Sequence, residues 1–156
     1  MKLREASLEF DFTDAIDAIK FDGASHGLSC MKAVDFVVEF DKDYLFVEVK
    51  DPSAPGTVKT EEFIKKLKSD ELSNSLVGKF RDTFLYRWAQ KKADKKIHYI
   101  SLITLDPALL LNLQEKVRRK LPIVYTSWPR PLAKSCHVMN MDLWNRQFPK
   151  WPITRI

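Results

Sequence analysis

The sequence predicts an α/β fold, with a central mixed β-sheet flanked by helices on both sides. Three observations carry this. Stretches dense in β-branched and aromatic residues, at 34–40, 44–49 and 97–105, read as strands. Stretches with apolar residues at three- and four-residue spacing, at 60–88 and 107–121, read as helices. The two kinds follow one another in the order expected of a sheet covered by helices. A chain of 156 residues suggests one domain, residues 1–156, with a sizeable core.

From the start of the chain, Ser7 to Phe12 alternates polar and apolar residues, as a half-buried strand does. Thr13 would cap a short helix from Asp14 to about Phe21, with Asp14 and Asp17 at its positive end and Ile16 and Ile19 facing inward. Asp22-Gly23 would stop it. Pro52, Pro55 and Gly56 end the strand at 44–49 in a loop. Thr60 would cap the next helix, which breaks or re-caps near Ser69-Asp70. Leu72, Leu76, Phe80, Phe84 and Trp88 then recur at every fourth residue and would form one inward stripe. Residues 97–105 read as a central strand. Asp106-Pro107 is an N-cap followed by proline at the first helical position, opening a helix to about Lys120 with Leu110, Leu113, Val117 and Leu121 inward. Ile123 to Trp128 and Ser135 to Met141 are further strand candidates. A short C-terminal helix from Asp142 ends at Pro149, with Trp144, Phe148 and Trp151 stapling the tail to the body.

Apolar residues make up 45% and charged residues 30%, as in an ordinary globular protein. No apolar run approaches a membrane span, and the first ten residues lack the apolar core of a secretory signal. Cys30 and Cys136 are too few for a disulfide framework or a zinc site, so a cytoplasmic protein is expected. There is no Gly-rich phosphate loop and no serine-histidine-acid set with recognisable spacing. The net charge of +5 is unevenly spread. Residues 1–51 hold 6 Lys/Arg and 12 Asp/Glu, whereas 52–156 hold 20 and 9. An acidic part that can hold a cation is joined to a basic part that can meet phosphates. Two faces that attract each other would show the same division.

Residues 31–51 hold the most informative chemistry. Val34–Phe40 and Tyr44–Val49 form a hairpin around Asp41-Lys42-Asp43. On the second strand Leu45, Val47 and Val49 share one face; Tyr44, Phe46, Glu48 and Lys50 share the other. Pairing centred near Lys42 puts Asp35 opposite a residue near Val49, between Glu48 and Lys50. Charges inside apolar strands are costly unless they are paired or bind a metal. Two convergent carboxylates suit Mg²⁺, which takes oxygen ligands and keeps several waters. A lysine beside them can orient water and stabilise developing negative charge. A structural ion pair between Lys50 and an acid is the plainer reading of the same residues.

Asp35, twelve intervening residues and then Glu48-Val49-Lys50 resemble the PD-(D/E)XK signature of the restriction endonuclease-like nucleases, with Val34 in place of the proline. The resemblance implies a restriction endonuclease-like core. It implies that Asp35, Glu48 and the Val49 carbonyl ligate Mg²⁺, with Mn²⁺ as a substitute, and that Lys50 positions the attacking water. The helix after the hairpin often contributes a basic side chain in such proteins, which nominates Lys79 and Arg81 for substrate binding. A helix before the hairpin sometimes supplies another acidic ligand, which nominates Glu9, Asp14 and Asp17. His26 is either a base or phosphate contact, or a structural histidine. The implied activity is hydrolysis of phosphodiester bonds in nucleic acid, DNA ahead of RNA. Specificity would come from nucleic-acid structure or from a protein partner. Dimerisation is common in the superfamily, although no heptad in this sequence supports a homodimer. The alternative is a non-catalytic module on the same fold that binds nucleic acid or protein.

Overall fold

The computed structural model describes residues 1–22, 30–57, 59–123 and 127–156. Eight strands and four helices are described: β1 (Lys2–Glu5), β2 (Leu8–Asp11), β3 (Asp17–Lys20), β4 (Phe36–Glu39), β5 (Asp43–Lys50), α1 (Thr60–Lys68), α2 (Glu71–Ala89), β6 (Lys96–Ile103), α3 (Pro107–Lys120), β7 (Ser135–Met139), α4 (Met141–Gln147) and β8 (Ile153–Arg155). A five-stranded sheet runs β3-β4-β5-β6-β7, and a three-stranded sheet runs β1-β2-β8. The larger sheet is mixed: β3, β4 and β5 pair antiparallel, while β5, β6 and β7 pair parallel.

The alternation read in β5 divides the core. Tyr44 and Phe46 face a cluster built with Leu72, Leu76 and Phe80 of α2 and Leu113 and Val117 of α3. Leu45, Val47 and Val49 face a second cluster with Leu8, Phe10, Trp144 and Ile153. Three helices therefore cover one face. The other is covered by the small sheet and α4, where helices alone were expected. Its centre is aromatic: Phe10 meets Phe36 and Trp144 edge-on, with ring centroids 5.0 and 5.7 Å apart.

The helix expected at 14–21 is a strand. Ala18 pairs with Val38 and Ile19 with Val37, so this segment satisfies the open edge of β4. Thr13 caps nothing; its hydroxyl donates to Asp11 Oδ1 at 3.2 Å. Ile16, expected inside, is exposed. An eight-residue helix is marginal alone, and a ladder plus a β-branched Ile19 outweighs a cap worth about 1 kcal/mol. The lead-in forms β1 and β2 around a turn at Ala6, which has φ of 52°.

Thr60 opens α1 but is not its cap. Lys59 holds that position without a side-chain bond, and Thr60 donates to the Pro52 carbonyl at 3.2 Å. In α2 the four-residue stripe drifts by about 40° per step at 3.6 residues per turn. Leu72, Leu76 and Phe80 are buried, but Trp88 is exposed, and Thr83 and Arg87 take the inner positions instead. Asp106 caps α3 as expected, accepting from the Ala108 N–H at 2.8 Å. Asp106→Ala should cost about 1 kcal/mol, read as a shift in urea midpoint. Ile123 and Trp128 lie outside any strand; residues 124–126, and His26 and Gly23, lie outside the described residues. β8 was not foreseen.

Asp51 locks the chain end to the sheet. Its carboxylate accepts from Ser7 Oγ at 2.6 Å, Thr104 Oγ1 at 2.7 Å and both terminal nitrogens of Arg155 at 3.0 and 3.1 Å. Burial works against its charge, yet these donors outweigh burial and hold the carboxyl below its usual range. Its contribution is thus complete above the unfolded pKa and is lost as pH falls through the lower folded value. Asp51→Ala should destabilise by about 2–3 kcal/mol at pH 7, measured by urea unfolding.

Candidate functional site

The site lies where β4 begins and β5 ends. Phe36 faces Val47, one residue from the pairing expected. The cause is the turn: Phe40 N–H donates to the Asp43 carbonyl at 2.8 Å, so Asp41-Lys42 is a two-residue loop centred before Lys42. Continued by one residue, this register brings Asp35 beside Glu48. Asp35 is anchored on both sides. Its Oδ2 accepts from the Val49 N–H at 2.7 Å, and its carbonyl accepts from the Phe21 N–H at 2.7 Å. Helix α2 fixes the approach to it: Thr83 Oγ1 accepts from Val34 N–H, and Asp82 Oδ2 from Lys32 N–H, both at 3.0 Å.

Glu48 is fully buried. Its Oε1 lies 2.9 Å from Lys50 Nζ and 2.7 Å from Lys79 Nζ. Its Oε2 is buried with no hydrogen-bond partner among the described residues. Ser101 pairs with Glu48 across β5 and β6, and its hydroxyl is likewise buried. Burial, and then the charge of Glu48, push Asp35 up to about 7, although the Val49 N–H and Lys79 pull the other way. Burial of Lys79 opposes its charge, but Glu48 outweighs this and holds its ammonium above the usual lysine value. Two buried carboxylates and two ammonium groups thus meet on one face of the sheet, with Lys50 the most exposed of the four.

The structure therefore brings together Asp35, Glu48, Lys50 and Lys79. Lys79, nominated for substrate, touches Glu48 itself. Arg81 points outward with its Nε 3.3 Å from Asp82. Glu9 pairs with Lys2 and Arg4, Asp14 accepts from Trp151 Nε1, and Asp17 sits in β3 at the end away from Asp35. None of the three acids joins the site. Glu5, which the sequence reading missed, is near enough for its charge to raise Asp35, and pairs with Lys20 at 2.8 Å. No sequence signal marks Glu5, because its place depends on the small sheet packing across the large one.

The donor set fits a hard divalent cation. The unpartnered Glu48 Oε2 and the strained ionisation of Asp35 are both relieved by a nearby positive charge. Asp35 and Glu48 would hold it. The Val49 carbonyl belongs to the strand carrying both contacts, where Val49 pairs with Leu102. Among the described residues no three His, Cys, Asp or Glu side chains converge, so water and substrate oxygens would complete the shell.

A second polar set lies at the other end of the sheet. His98 Nδ1 is 2.7 Å from Ser135 Oγ, and its Nε2 is 3.0 Å from Asp43 Oδ1. These are neighbouring positions on β5, β6 and β7, spaced in sequence so that only the parallel register joins them. They line a cavity of about 560 Å³ with Phe40, Phe148 and Trp151. Among the described residues, no helix is long and apolar enough to cross a membrane. No family model, curated protein or solved structure matches the chain.

Proposed function

We propose that the protein is a metal-dependent nuclease with a restriction endonuclease-like core, hydrolysing phosphodiester bonds of DNA ahead of RNA. The observation that carries this is the buried Asp35–Glu48 pair, with Lys50 Nζ 2.9 Å from Glu48. Two carboxylates that oppose each other's ionisation are a poor structural device but a good cation site. Bound Mg²⁺ would polarise a phosphoryl oxygen and lower the pKa of a water.

The chain's own groups would then act as follows. Asp35 would release its proton to solvent and, with Glu48, would hold the cation. Lys50, one-third exposed, presents an ammonium that orients the attacking water and stabilises charge building on the phosphate. Lys79 holds the Glu48 carboxylate in place from α2. Because Asp35 must ionise, metal affinity should rise with pH through about 7, which Mn²⁺ titrations at pH 6 and 8 would register. Equal affinity at both would contradict the role given to Asp35.

The test is cleavage of single-stranded, duplex and branched DNA and RNA in Mg²⁺ or Mn²⁺ against chelator. Metal-dependent product on one of them is expected; none on any of them removes the reading. The complete burial of Glu48 under two ammonium groups favours a second reading, a non-catalytic module that binds nucleic acid. Salt-sensitive binding with no cleavage would mark it.

A further inference from the structure

We propose that the groove between α2 and the flanking segments Leu121–Pro122 and Trp128–Lys134 binds a single nucleic-acid strand and leads it toward Glu48. The direction of travel rests on the nuclease reading; the binding does not.

Two hollows of about 290 and 190 Å³ adjoin here, with Phe84 and Leu132 in the lining of both, and we take them together as one groove. Its floor is apolar, with Val77 and Phe80 beside those two. Its rim is cationic. Arg81 and Lys120 flank one hollow; Lys96, Arg130 and Lys134 flank the other. Lys96, Arg130 and Lys134 are exposed and have no ion-pair partner among the described residues. One acid, Asp94, shares the lining; the Tyr44 hydroxyl donates to it at 2.8 Å and keeps it ionised, so it offsets one of the rim's cations.

Arg81 pairs with Asp82 and Lys120 with Asp70, which leaves Lys96, Arg130 and Lys134 as the rim's unpaired cations among the described residues. An apolar floor under such a rim calls for a polyanion with flat apolar parts. A single strand meets both demands: phosphates at the rim and unstacked bases on the floor. A duplex offers the phosphates but hides the bases, leaving the floor wet. The cations continue toward the carboxylates. A side chain at Gly78 would begin 3.6 Å from Lys32 Nζ and 3.7 Å from Arg81 Nη2, and the next residue is Lys79 on Glu48.

The experiment is fluorescence anisotropy with a labelled strand of about 16 nucleotides, and its duplex, in chelator so that no cleavage intervenes. The full chain is compared with Arg130→Glu/Lys134→Glu, and with Lys65→Glu/Lys66→Glu, which makes the same charge change on the exposed side of α1. The wild type should bind the single strand more tightly than the duplex. The groove pair should lose roughly tenfold or more, with a log–log salt slope smaller by about 1.4 for two lost contacts. The α1 pair should stay within about twofold, since distant rim charges add little. Unchanged binding by the groove pair, preference for duplex, equal loss in the α1 pair, or tighter binding to poly-glutamate would each overturn the inference. Groove-dependent binding without any metal-dependent cleavage keeps this inference and removes the nuclease reading. Cleavage that persists with groove-independent binding does the reverse.

Discussion

Asp35→Ala and Glu48→Gln should each reduce the proposed Mg²⁺-dependent cleavage by roughly 10²–10³-fold or more, the scale of losing one preorganised electrostatic group. Each carboxylate supplies about half of the charge that would hold the cation; Glu9, Asp14 and Asp17 lie elsewhere, and Glu5, whose charge reaches Asp35, is tied to Lys20 at 2.8 Å. Glu48 is replaced by Gln rather than Ala to keep the shape around a fully buried group. Lys79 would otherwise face a hole, and a buried ammonium left unpaired costs about 3–5 kcal/mol. Far-UV circular dichroism separates loss of chemistry from loss of fold. Cleavage at the wild-type rate in both variants would remove the mechanism.

Asp35→Asn makes the metal-free protein more stable above pH 7. Burial and the charge of Glu48 hold Asp35 at about 7 in the folded chain, against the ordinary 3.8 of an exposed aspartate. Between these values the folded chain keeps a proton that the unfolded chain has released. Stability therefore falls as pH rises from about 4 to about 7 and then levels off, a loss on the order of 4 kcal/mol. Asparagine carries no charge to bury, and its amide oxygen can still accept from the Val49 N–H. The variant should match the wild type near pH 4 and exceed it by several kcal/mol, in that order of magnitude, at pH 8. Urea unfolding in chelator at the two pH values measures the difference. A variant weaker than wild type at pH 8 would show that Asp35 serves the fold rather than a ligand. Saturating Mg²⁺ should narrow the gap by stabilising only the wild type.

The hairpin was legible because strand alternation is a local property. The faces of Leu45 and Tyr44 follow from the strand period alone, and Asp35, Glu48 and Lys50 follow from the turn to within one residue. The same holds for α3, whose cap, proline and inward leucines lie within the helix itself. What failed was decided by tertiary pairing. The 14–21 segment carries a cap signal, but β4 needed an edge partner, and Ala18 and Ile19 supply it. Trp88 continues a four-residue repeat that the helix rotates out of the core. Lys79 was readable as a cation on the right helix, but its contact with Glu48 depends on how α2 lies across the sheet. His98, Ser135 and Asp43 meet only through parallel register, which no spacing in the sequence reports.

The most direct test of the account is a calorimetric titration of Mn²⁺ into the wild type, Asp35→Ala and Glu48→Gln at pH 8, with an uncleavable phosphorothioate strand present to complete the coordination. A cation held by Asp35 and Glu48 gives a binding event in the wild type that disappears in both variants. No binding in the wild type, or undiminished binding in either variant, would contradict a metal site at Asp35 and Glu48.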